Sequence, residues 1–362
     1  MNRIATPIQL SHLQPKNRLI RSAVHSFLAD KNGFMTEAEY SLYETLAESG
    51  IGTVITGHCC VAEGGRANDD QINIYDDRFI PQFTEAAKRV HAHSALFIAQ
   101  INHAGPRAIN TDDPADVSPS ILKKGHRQTR AMTLDEIHAA EQAFIDAALR
   151  LQKAGVDGIQ VHAAHSYLIS RFLDPFFNVR TDEYGGTREN RFRMLETVIR
   201  GIKEACGTDF PVLVKVNADT KAEDTASYHE DMIALLQRMH ELGVELVEFS
   251  GADFIHQPRG SKLYYLDLVR DIKAHVPEEP VSLVGGVRSR EDMETVLDAG
   301  IDMVSLGRPL IADPAFAAKA LASDEPSICI SCSRCFALPH LHPGIRCIWA
   351  WKEEKARQKQ EK

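Results

Sequence analysis

The sequence predicts a (β/α)₈ barrel. Eight short runs rich in Val, Ile and Leu alternate with eight helix-like segments along the 362 residues. Several runs show little polar alternation, which is typical of parallel strands covered on both faces. Strict alternation of eight pairs favours a closed barrel over an open doubly wound sheet. The absence of a Gly-x-Gly-x-x-Gly turn after the first run points the same way.

Each element has a local signal. The predicted strands are RLIRSAV, GTVITG, ALFIAQI, GIQVHAA, VLVKV, LVEFSGA, VSLVGGV and DMVSLGR. The predicted helices are Glu37–Glu48, Pro81–Ala92, Thr133–Ala154, Glu189–Cys206, Ser227–Leu242, Tyr264–His275, Ser289–Ala299 and Asp313–Ala322. Thr133 and Glu136 fit a capping box at the start of the third helix. Glycines that precede the following strands fit C-cap positions: Gly50, Gly155, Gly243 and Gly300.

Three segments fall outside the repeat. The first seventeen residues are expected to cap the bottom of the barrel. Asn102–Arg130 and Tyr167–Arg188 are long loops after strands three and four, on the face where barrels build active sites. We therefore predict a barrel domain over residues 1–325 and a C-terminal extension over residues 326–362, which ends in the polar segment Lys352–Lys362.

Composition excludes several function classes. The net charge of −9 argues against nucleic acid as a partner, since binding a polyanion needs clustered positive charge. The sequence shows no apolar run long enough to cross a membrane and no signal-peptide pattern near Met1. We expect a cytoplasmic protein that acts on a small molecule.

The strongest chemical signal lies at the end of strand four. His162, His165 and Tyr167 leave this strand within six residues, in the stretch VHAAHSYL. Such a position brings side chains to the barrel mouth. Imidazoles can donate hydrogen bonds to a carbonyl oxygen, and a phenol can deliver a proton. A single histidine is more often structural, whereas this combination favours catalysis; Tyr167 could alternatively be a packing residue.

VHAAHSYL, followed by RTDEYGGTRENR at residues 180–191, resembles the old yellow enzyme family of FMN-dependent ene-reductases. The chain is most similar to the bacterial branch that includes 2,4-dienoyl-CoA reductases, from Asn17-Arg18 to Gly307-Arg308-Pro309. The resemblance implies a hydride passed from reduced FMN to the β-carbon of an unsaturated carbonyl compound. It also implies that His162 and His165 hold the carbonyl oxygen and that Tyr167 protonates the α-carbon.

The flavin contacts are assigned on the same resemblance. The Gln100 amide can pair with the pyrimidine edge of the flavin. Lys215, a costly charge inside a barrel strand, would lie beside the N1–O2 edge, where many relatives have Arg. An ion pair in the barrel interior is the alternative for Lys215. The glycine turns after strands seven and eight fit a phosphate site built from Gly285, Gly286, Gly307 and Arg308.

Strand one departs from the family pattern. Ser22, Ala23 and Val24 fit contacts to the flavin, but His25 occupies the site where relatives have Thr or Cys near the flavin N5. An imidazole there would change the redox tuning and the pocket shape. Thr56 and Gly57 at the end of strand two are expected against the flavin as well. His256, after strand six, is a further candidate acid–base group or a surface histidine.

Four cysteines crowd the extension: Cys329, Cys332, Cys335 and Cys347. In a reducing compartment such a cluster is more often a metal site than a set of disulfides. Four thiolates can hold a [4Fe–4S] cluster or a structural Zn²⁺, and free thiols are the third possibility. Iron–sulfur relatives have one more residue between the second and third cysteines, and they continue into FAD and NAD(P)H domains.

Three functional hypotheses follow from the sequence. The first is a stand-alone oxidoreductase in which NAD(P)H reduces FMN and FMN reduces an enone. The second is the catalytic subunit of an electron-transfer assembly that acts on dienoyl thioesters, amines or steroid-like enones. A separate donor protein would supply its electrons through a [4Fe–4S] cluster. The third is a non-enzymatic flavin-binding redox sensor. The sequence leaves the natural substrate and the oligomeric state open.

Overall fold

The fold is a barrel of eight parallel strands. The computed structural model describes residues 2–109, 117–121, 123–124, 127–220, 223–337 and 344–360. The barrel strands are β1 (Leu19–Arg21), β2 (Thr53–Ile55), β3 (Leu96–Asn102), β4 (Gly158–Ala163), β5 (Val212–Asn217), β6 (Leu246–Ser250), β7 (Val281–Val284) and β8 (Met303–Leu306).

Strand pairing closes the barrel. Each strand pairs in parallel with its sequence neighbours, from β1 with β2 through to β7 with β8. The ring closes where β1 pairs with β8, with Ile20 opposite Ser305. The predicted (β/α)₈ fold is confirmed. Barrel strands are buried on both faces, which explains why the sequence runs lack polar alternation.

Eleven α-helices lie within the described residues. They are α1 (Glu37–Glu48), α2 (Ile80–His91), α3 (Leu134–Lys153), α4 (Leu168–Leu173), α5 (Arg188–Cys206), α6 (Thr225–Glu241), α7 (Leu266–His275), α8 (Arg290–Asp298), α9 (Arg308–Ala312), α10 (Phe316–Ala322) and α11 (Ile348–Gln360). The eight predicted helices correspond to all of these except α4, α9 and α11. The Thr133–Glu136 capping box is present at the start of α3.

One predicted helix start needs correction. The last barrel helix, expected from Asp313, begins at Phe316 in α10, because the five-residue helix α9 separates it from β8. The polar segment Lys352–Lys362 lies largely in the helix α11, which ends at Gln360. The predicted loop Asn102–Arg130 lies partly outside the described residues.

The N-terminal segment covers the bottom of the barrel. Leu10 and Leu13 are buried against apolar side chains from the strands, including Ile20 and Leu213. At the opposite end of the sequence, Ile345 donates a backbone hydrogen bond of 2.7 Å to Ser26. The extension therefore docks beside the loop after β1, at the mouth of the barrel.

No helix in the described part of the chain is long and apolar enough to cross a membrane.

Candidate active site

A cavity of about 270 Å³ opens at the carboxyl ends of the barrel strands. Its walls come from the ends of the barrel strands, from the loops that follow all of them except β5, and from the C-terminal extension. The predicted site residues that line it are Ser22, Ala23, Val24, His25, Gln100, His162, His165, Tyr167, Lys215, Gly285, Gly286, Gly307 and Arg308. Residues far apart in sequence thus meet in one cavity at the face where barrels carry their active sites.

The predicted catalytic residues surround one part of this cavity. The rings of His162 and His165 are 5.1 Å apart between centroids, and the Tyr167 ring is 5.0 Å from that of His162. His162 is the penultimate residue of β4, whereas His165 adopts a left-handed conformation (φ 61°) in the turn that leads to α4. The turn brings three polar side chains from a six-residue stretch onto one wall.

Both imidazoles are neutral at physiological pH. Burial is the main cause that lowers the pKa of His162 and of His165 well below the ordinary value, and Lys215 and Arg107 add to it. The Ser250 hydroxyl lies 2.9 Å from Nε2 of His165. In contrast, Nδ1 of His162 is buried without a hydrogen-bond partner among the described residues. A neutral imidazole can donate only one hydrogen bond, so each ring offers at most one donor to a ligand.

Lys215 belongs to a buried polar layer across the barrel. It lies directly opposite Glu248 on neighbouring strands, with 3.4 Å between Nζ and Oε2. Nζ also donates to Ser22 Oγ at 2.7 Å. Gln160 joins the layer by donating to Glu248 at 2.8 Å and by accepting from Gln100 at 2.7 Å. The interior ion pair and the cavity-lining position of Lys215 therefore occur together.

His25 lies in the cavity wall that follows β1. Its Nε2 is 2.9 Å from Asn68 Oδ1, and its ring packs 4.0 Å from that of Phe27. Burial lowers the pKa of His25 to about 4, so its ring is also neutral.

Thr56 and Gly57 lie behind the wall and do not line the cavity. Thr56 Oγ1 accepts a hydrogen bond from the backbone N–H of Gln100 at 3.0 Å. The Gly57 N–H donates to the Tyr43 hydroxyl at 3.1 Å. Both residues therefore support the strand ends, and their contact with flavin stays a prediction.

The two glycine turns differ in the space that they leave for a side chain. A Cβ on Gly286 (φ 74°) would lie 2.5 Å from the backbone nitrogen of Leu263, so this position excludes a side chain on steric grounds. A Cβ on Gly307 would make ordinary van der Waals contact with Val24 at 3.8 Å and would meet no closer atom. Arg308 beside it lines the cavity and hydrogen-bonds Ser333 at 3.0 Å and the Tyr264 hydroxyl at 3.2 Å.

The cavity fits FMN by its donor set. An unpartnered imidazole nitrogen, a buried amide and a buried ammonium lie at one end, in His162, Gln100 and Lys215. Arg308 and the open backbone at Gly307 lie in the loop after β8, where barrels often bind phosphate. The lining side chains among the described residues include four cations, Arg107, Lys215, Arg288 and Arg308, and no carboxylate, in a chain of net charge −9.

Sequence reasoning missed several lining residues. His58 follows β2 and contacts Tyr167, with 3.4 Å between Nε2 and the phenol oxygen. Arg107 lies over the Tyr167 ring, 5.3 Å from its centroid. The rings of Phe254 and Phe336 are 5.7 Å apart and contribute an apolar wall. A histidine directly after a strand end was the available signal for His58, whereas Phe336 reaches the cavity only through the fold of the extension.

His256 is not among the residues that line the cavity. Its side chain is exposed, and its Nδ1 lies 2.6 Å from Oδ1 of Asp253.

The four clustered cysteines surround a second, smaller cavity, which Arg308 and Trp349 also line. All are free thiols. Burial raises the pKa of Cys335 to about 12 and raises that of Cys329, and neighbouring thiols add to both shifts. Throughout the described ranges, no group of three or more His, Cys, Asp or Glu side chains has an arrangement suited to a metal ion. The predicted iron–sulfur or zinc site is thus not supported by this geometry.

The fold and the cavity define a class: (β/α)₈ barrel proteins with a ligand cavity at the carboxyl ends of their strands. The model of the NADH:flavin oxidoreductase / NADH oxidase family matches residues 3–325. The chain belongs to this family. The predicted old yellow enzyme relationship is confirmed, and membership of this family supports an oxidoreductase that uses FMN and NAD(P)H.

Two relatives show the extent of the similarity. NADH oxidase of Thermoanaerobacter brockii is 32% identical over 342 residues, which cover 90% of this chain and 52% of the relative. NADPH dehydrogenase of Halalkalibacterium halodurans is 32% identical over 306 residues, with 83% and 88% covered. The chain therefore spans about half of the first relative and most of the second.

Solved structures agree on the fold. A 2-naphthoyl-CoA reductase in complex with 2-naphthoyl-CoA superposes with a TM-score of 0.80 at 25% identity, over 88% of this chain and 52% of that one. An old yellow enzyme homologue from Zymomonas mobilis gives 0.76 at 23% identity, with 91% and 95% covered.

Proposed function

We propose that the chain is an ene-reductase that reduces an activated C=C bond conjugated to a carbonyl group. The observation that carries this proposal is the presence of His162, His165 and Tyr167 in one cavity with the donor set for FMN. When bound and reduced, FMN supplies a hydride to the β-carbon. A relative that reduces 2-naphthoyl-CoA supports an unsaturated carbonyl substrate, since the compound in its name is an aromatic thioester.

The two imidazoles bind and polarise the carbonyl oxygen. Negative charge develops on that oxygen when a hydride reaches the β-carbon, and fixed donors stabilise it without reorganisation. Ser250 can donate to Nε2 of His165, which would leave the ring proton on Nδ1 for the ligand. His162 has a buried nitrogen free for the same purpose. Because both rings are neutral, they donate hydrogen bonds to the oxygen and do not transfer a proton to it.

Tyr167 delivers the proton to the α-carbon. Burial raises the pKa of Tyr167, whereas the Arg107 guanidinium over its ring acts in the opposite direction. The phenol is therefore protonated at neutral pH, as a proton donor must be. Lys215 and Gln100 would hold the flavin at its pyrimidine side, and Arg308 would bind its phosphate.

Anaerobic reduction and reoxidation test this proposal. NADH or NADPH should bleach the bound flavin, and an enone should restore its colour. Tyr167→Phe should slow turnover by roughly 10²-fold or more, the usual contribution of a general acid, while leaving flavin reduction intact. A wild-type protein that binds no FMN, or a Tyr167→Phe variant with full turnover, would contradict the proposal.

The electron-transfer assembly is the second candidate function. The observation that favours it is the four-cysteine cavity, which shares Arg308 with the large cavity. The thiols do not form a metal-holding group in this structure, so they supply no electron-transfer step. Iron, sulfide and zinc analysis of protein purified without oxygen decides between a cluster, a zinc site and free thiols.

Two further proposals concern the chain as a whole. Residues 326–362 form a separate extension, and the protein is located in the cytoplasm.

A further inference from the structure

We propose that His58 is a positioning residue that donates a hydrogen bond to Tyr167 and thereby directs the phenol proton into the cavity. The proposal rests on the proposed function, because it assigns a second group to the same proton transfer. The two side chains come from the loops after β2 and β4, 109 residues apart in the chain. Their contact exists only in the folded barrel.

Gln71 fixes which nitrogen of His58 carries the proton. The amide nitrogen of Gln71 lies 2.7 Å from Nδ1 of His58. An amide nitrogen can only donate, so Nδ1 must accept. A neutral imidazole with an accepting Nδ1 carries its proton on Nε2. This is the nitrogen that lies 3.4 Å from the Tyr167 oxygen.

The orientation of the Gln71 amide is itself determined by backbone groups. Its oxygen accepts from the N–H of Ala67 at 2.6 Å, and its nitrogen donates to the carbonyl of His58 at 3.1 Å. A flipped amide would place two donors together and two acceptors together. Gln71 is fully buried and does not line the cavity, so its effect on the cavity passes through His58.

The surroundings of His58 keep the ring neutral. Its ring neighbours are His25 at 5.0 Å, Tyr167 at 5.2 Å and His162 at 6.2 Å. Burial lowers the pKa of His58 well below its ordinary value, and His25, His162 and Arg107 contribute in the same direction. The ring therefore retains a single N–H, and this donor faces the phenol.

This arrangement has a chemical consequence. When the Tyr167 oxygen accepts from His58, the phenol hydrogen is free to point towards a ligand. In the transfer, the phenol O–H bond breaks. The electron pair of the carbanionic α-carbon then forms a C–H bond with the released proton. The phenolate that remains accepts the His58 N–H more strongly and later regains a proton from water. The present separation is long for a hydrogen bond, and such contacts often tighten in the reacting complex.

Two substitutions of His58 separate donation from packing. His58→Gln places an amide N–H near the Nε2 position, whereas His58→Leu fills similar space without a donor. We expect kcat for enone reduction to fall roughly tenfold to hundredfold in His58→Leu, the effect of one hydrogen bond to a charged group, with KM little changed. His58→Gln should stay within about threefold of wild type, because it retains the donor.

The pH profile gives a second reading. Loss of the donor should shift the basic limb of the kcat profile to higher pH by about one unit, because the phenol becomes a tenfold weaker acid. A residue that only packs would leave this limb in place. Gln71→Glu replaces the hydrogen-bond donor at Nδ1 of His58 by an acceptor. This variant should also lower kcat, although residue 71 lies outside the cavity.

¹⁵N NMR of histidine-labelled holoprotein tests the tautomer without turnover. We expect the His58 signal of an Nε2-protonated ring, and an Nδ1-protonated ring would overturn the proposal. Equal kcat in His58→Leu and wild type, or equal losses in the Gln and Leu variants, would overturn it as well. If wild-type protein reduces no enone, the proposed function fails, while the NMR result still decides whether His58 donates to Tyr167.

Discussion

Lys215 and Glu248 face each other on neighbouring barrel strands, buried to 2% and 0% exposure, with 3.4 Å between Nζ and Oε2. Burial lowers the pKa of Lys215, whereas Glu248 acts to raise it. Glu248 thus offsets the desolvation of the ammonium. The pair holds a positive charge beside the cavity in an interior that would otherwise disfavour it.

We predict strong coupling between these two residues. Lys215→Met or Glu248→Gln alone should lower the free energy of unfolding by about 3 kcal/mol, because each leaves a buried charge without its partner. The double variant should lose much less than the sum. Urea unfolding of the FMN-free proteins measures the cycle without a contribution from flavin binding. Additive losses would show that the two charges are independent.

Two glycine variants separate flavin binding from stability. Gly307→Ala should leave the unfolding free energy of FMN-free protein nearly unchanged, because its Cβ meets no atom within 3.8 Å. The same methyl group should weaken FMN binding if the phosphate approaches the backbone there. Gly286→Ala is the matched comparison and should destabilise the protein with or without flavin, since its Cβ would lie 2.5 Å from Leu263. Fluorescence titration with FMN measures the affinities. An unchanged FMN affinity in Gly307→Ala would show that the phosphate binds elsewhere.

The imidazole of His25 in the cavity wall should make stability depend on pH. Its pKa in the folded protein is about 4, below the value of about 6.5 in an unfolded chain. Between these values the unfolded state binds the extra proton, so stability falls as the pH is lowered from 6.5 towards 4. His25→Asn should reduce this slope by about 1.4 kcal/mol per pH unit. Urea midpoints across this range provide the measurement, and an identical slope in the variant would contradict the pKa.

The RTDEYGGTRENR stretch has a structural role that can be tested. Arg188 and Arg191 both pair with Asp231 on α6, which is 2% exposed. Asp231→Asn should cost about 3 kcal/mol of unfolding free energy while leaving FMN affinity intact, because the pair lies outside the cavity. Glu230→Gln is the control: this exposed carboxylate lies 3.9 Å from Arg188 and should change stability by less than about 0.5 kcal/mol. A large loss of FMN affinity in Asp231→Asn would show that the RTDEYGGTRENR stretch contributes to flavin binding.

Periodic apolar runs and helix caps were sufficient to predict the barrel, and strand-end chemistry together with the family resemblance predicted thirteen of the residues that line the cavity. His162, His165, Tyr167 and Lys215 were found because a polar group at a strand end, or a charge within a buried strand, conflicts with its local pattern. Glu248 carried the same signal in LVEFSGA, but strand register was needed to identify its partner as Lys215.

Local sequence thus determined the elements, since hydrophobic periodicity and capping act over a few residues. Tertiary structure alone decided the contacts between distant loops: His58 with Tyr167, Phe336 with Phe254, and Thr56 with Gln100 behind the wall. The four cysteines show the same limit, because spacing predicts ligands whereas metal geometry depends on how the extension folds. Barrel closure sets these distances, and no short stretch of sequence encodes them.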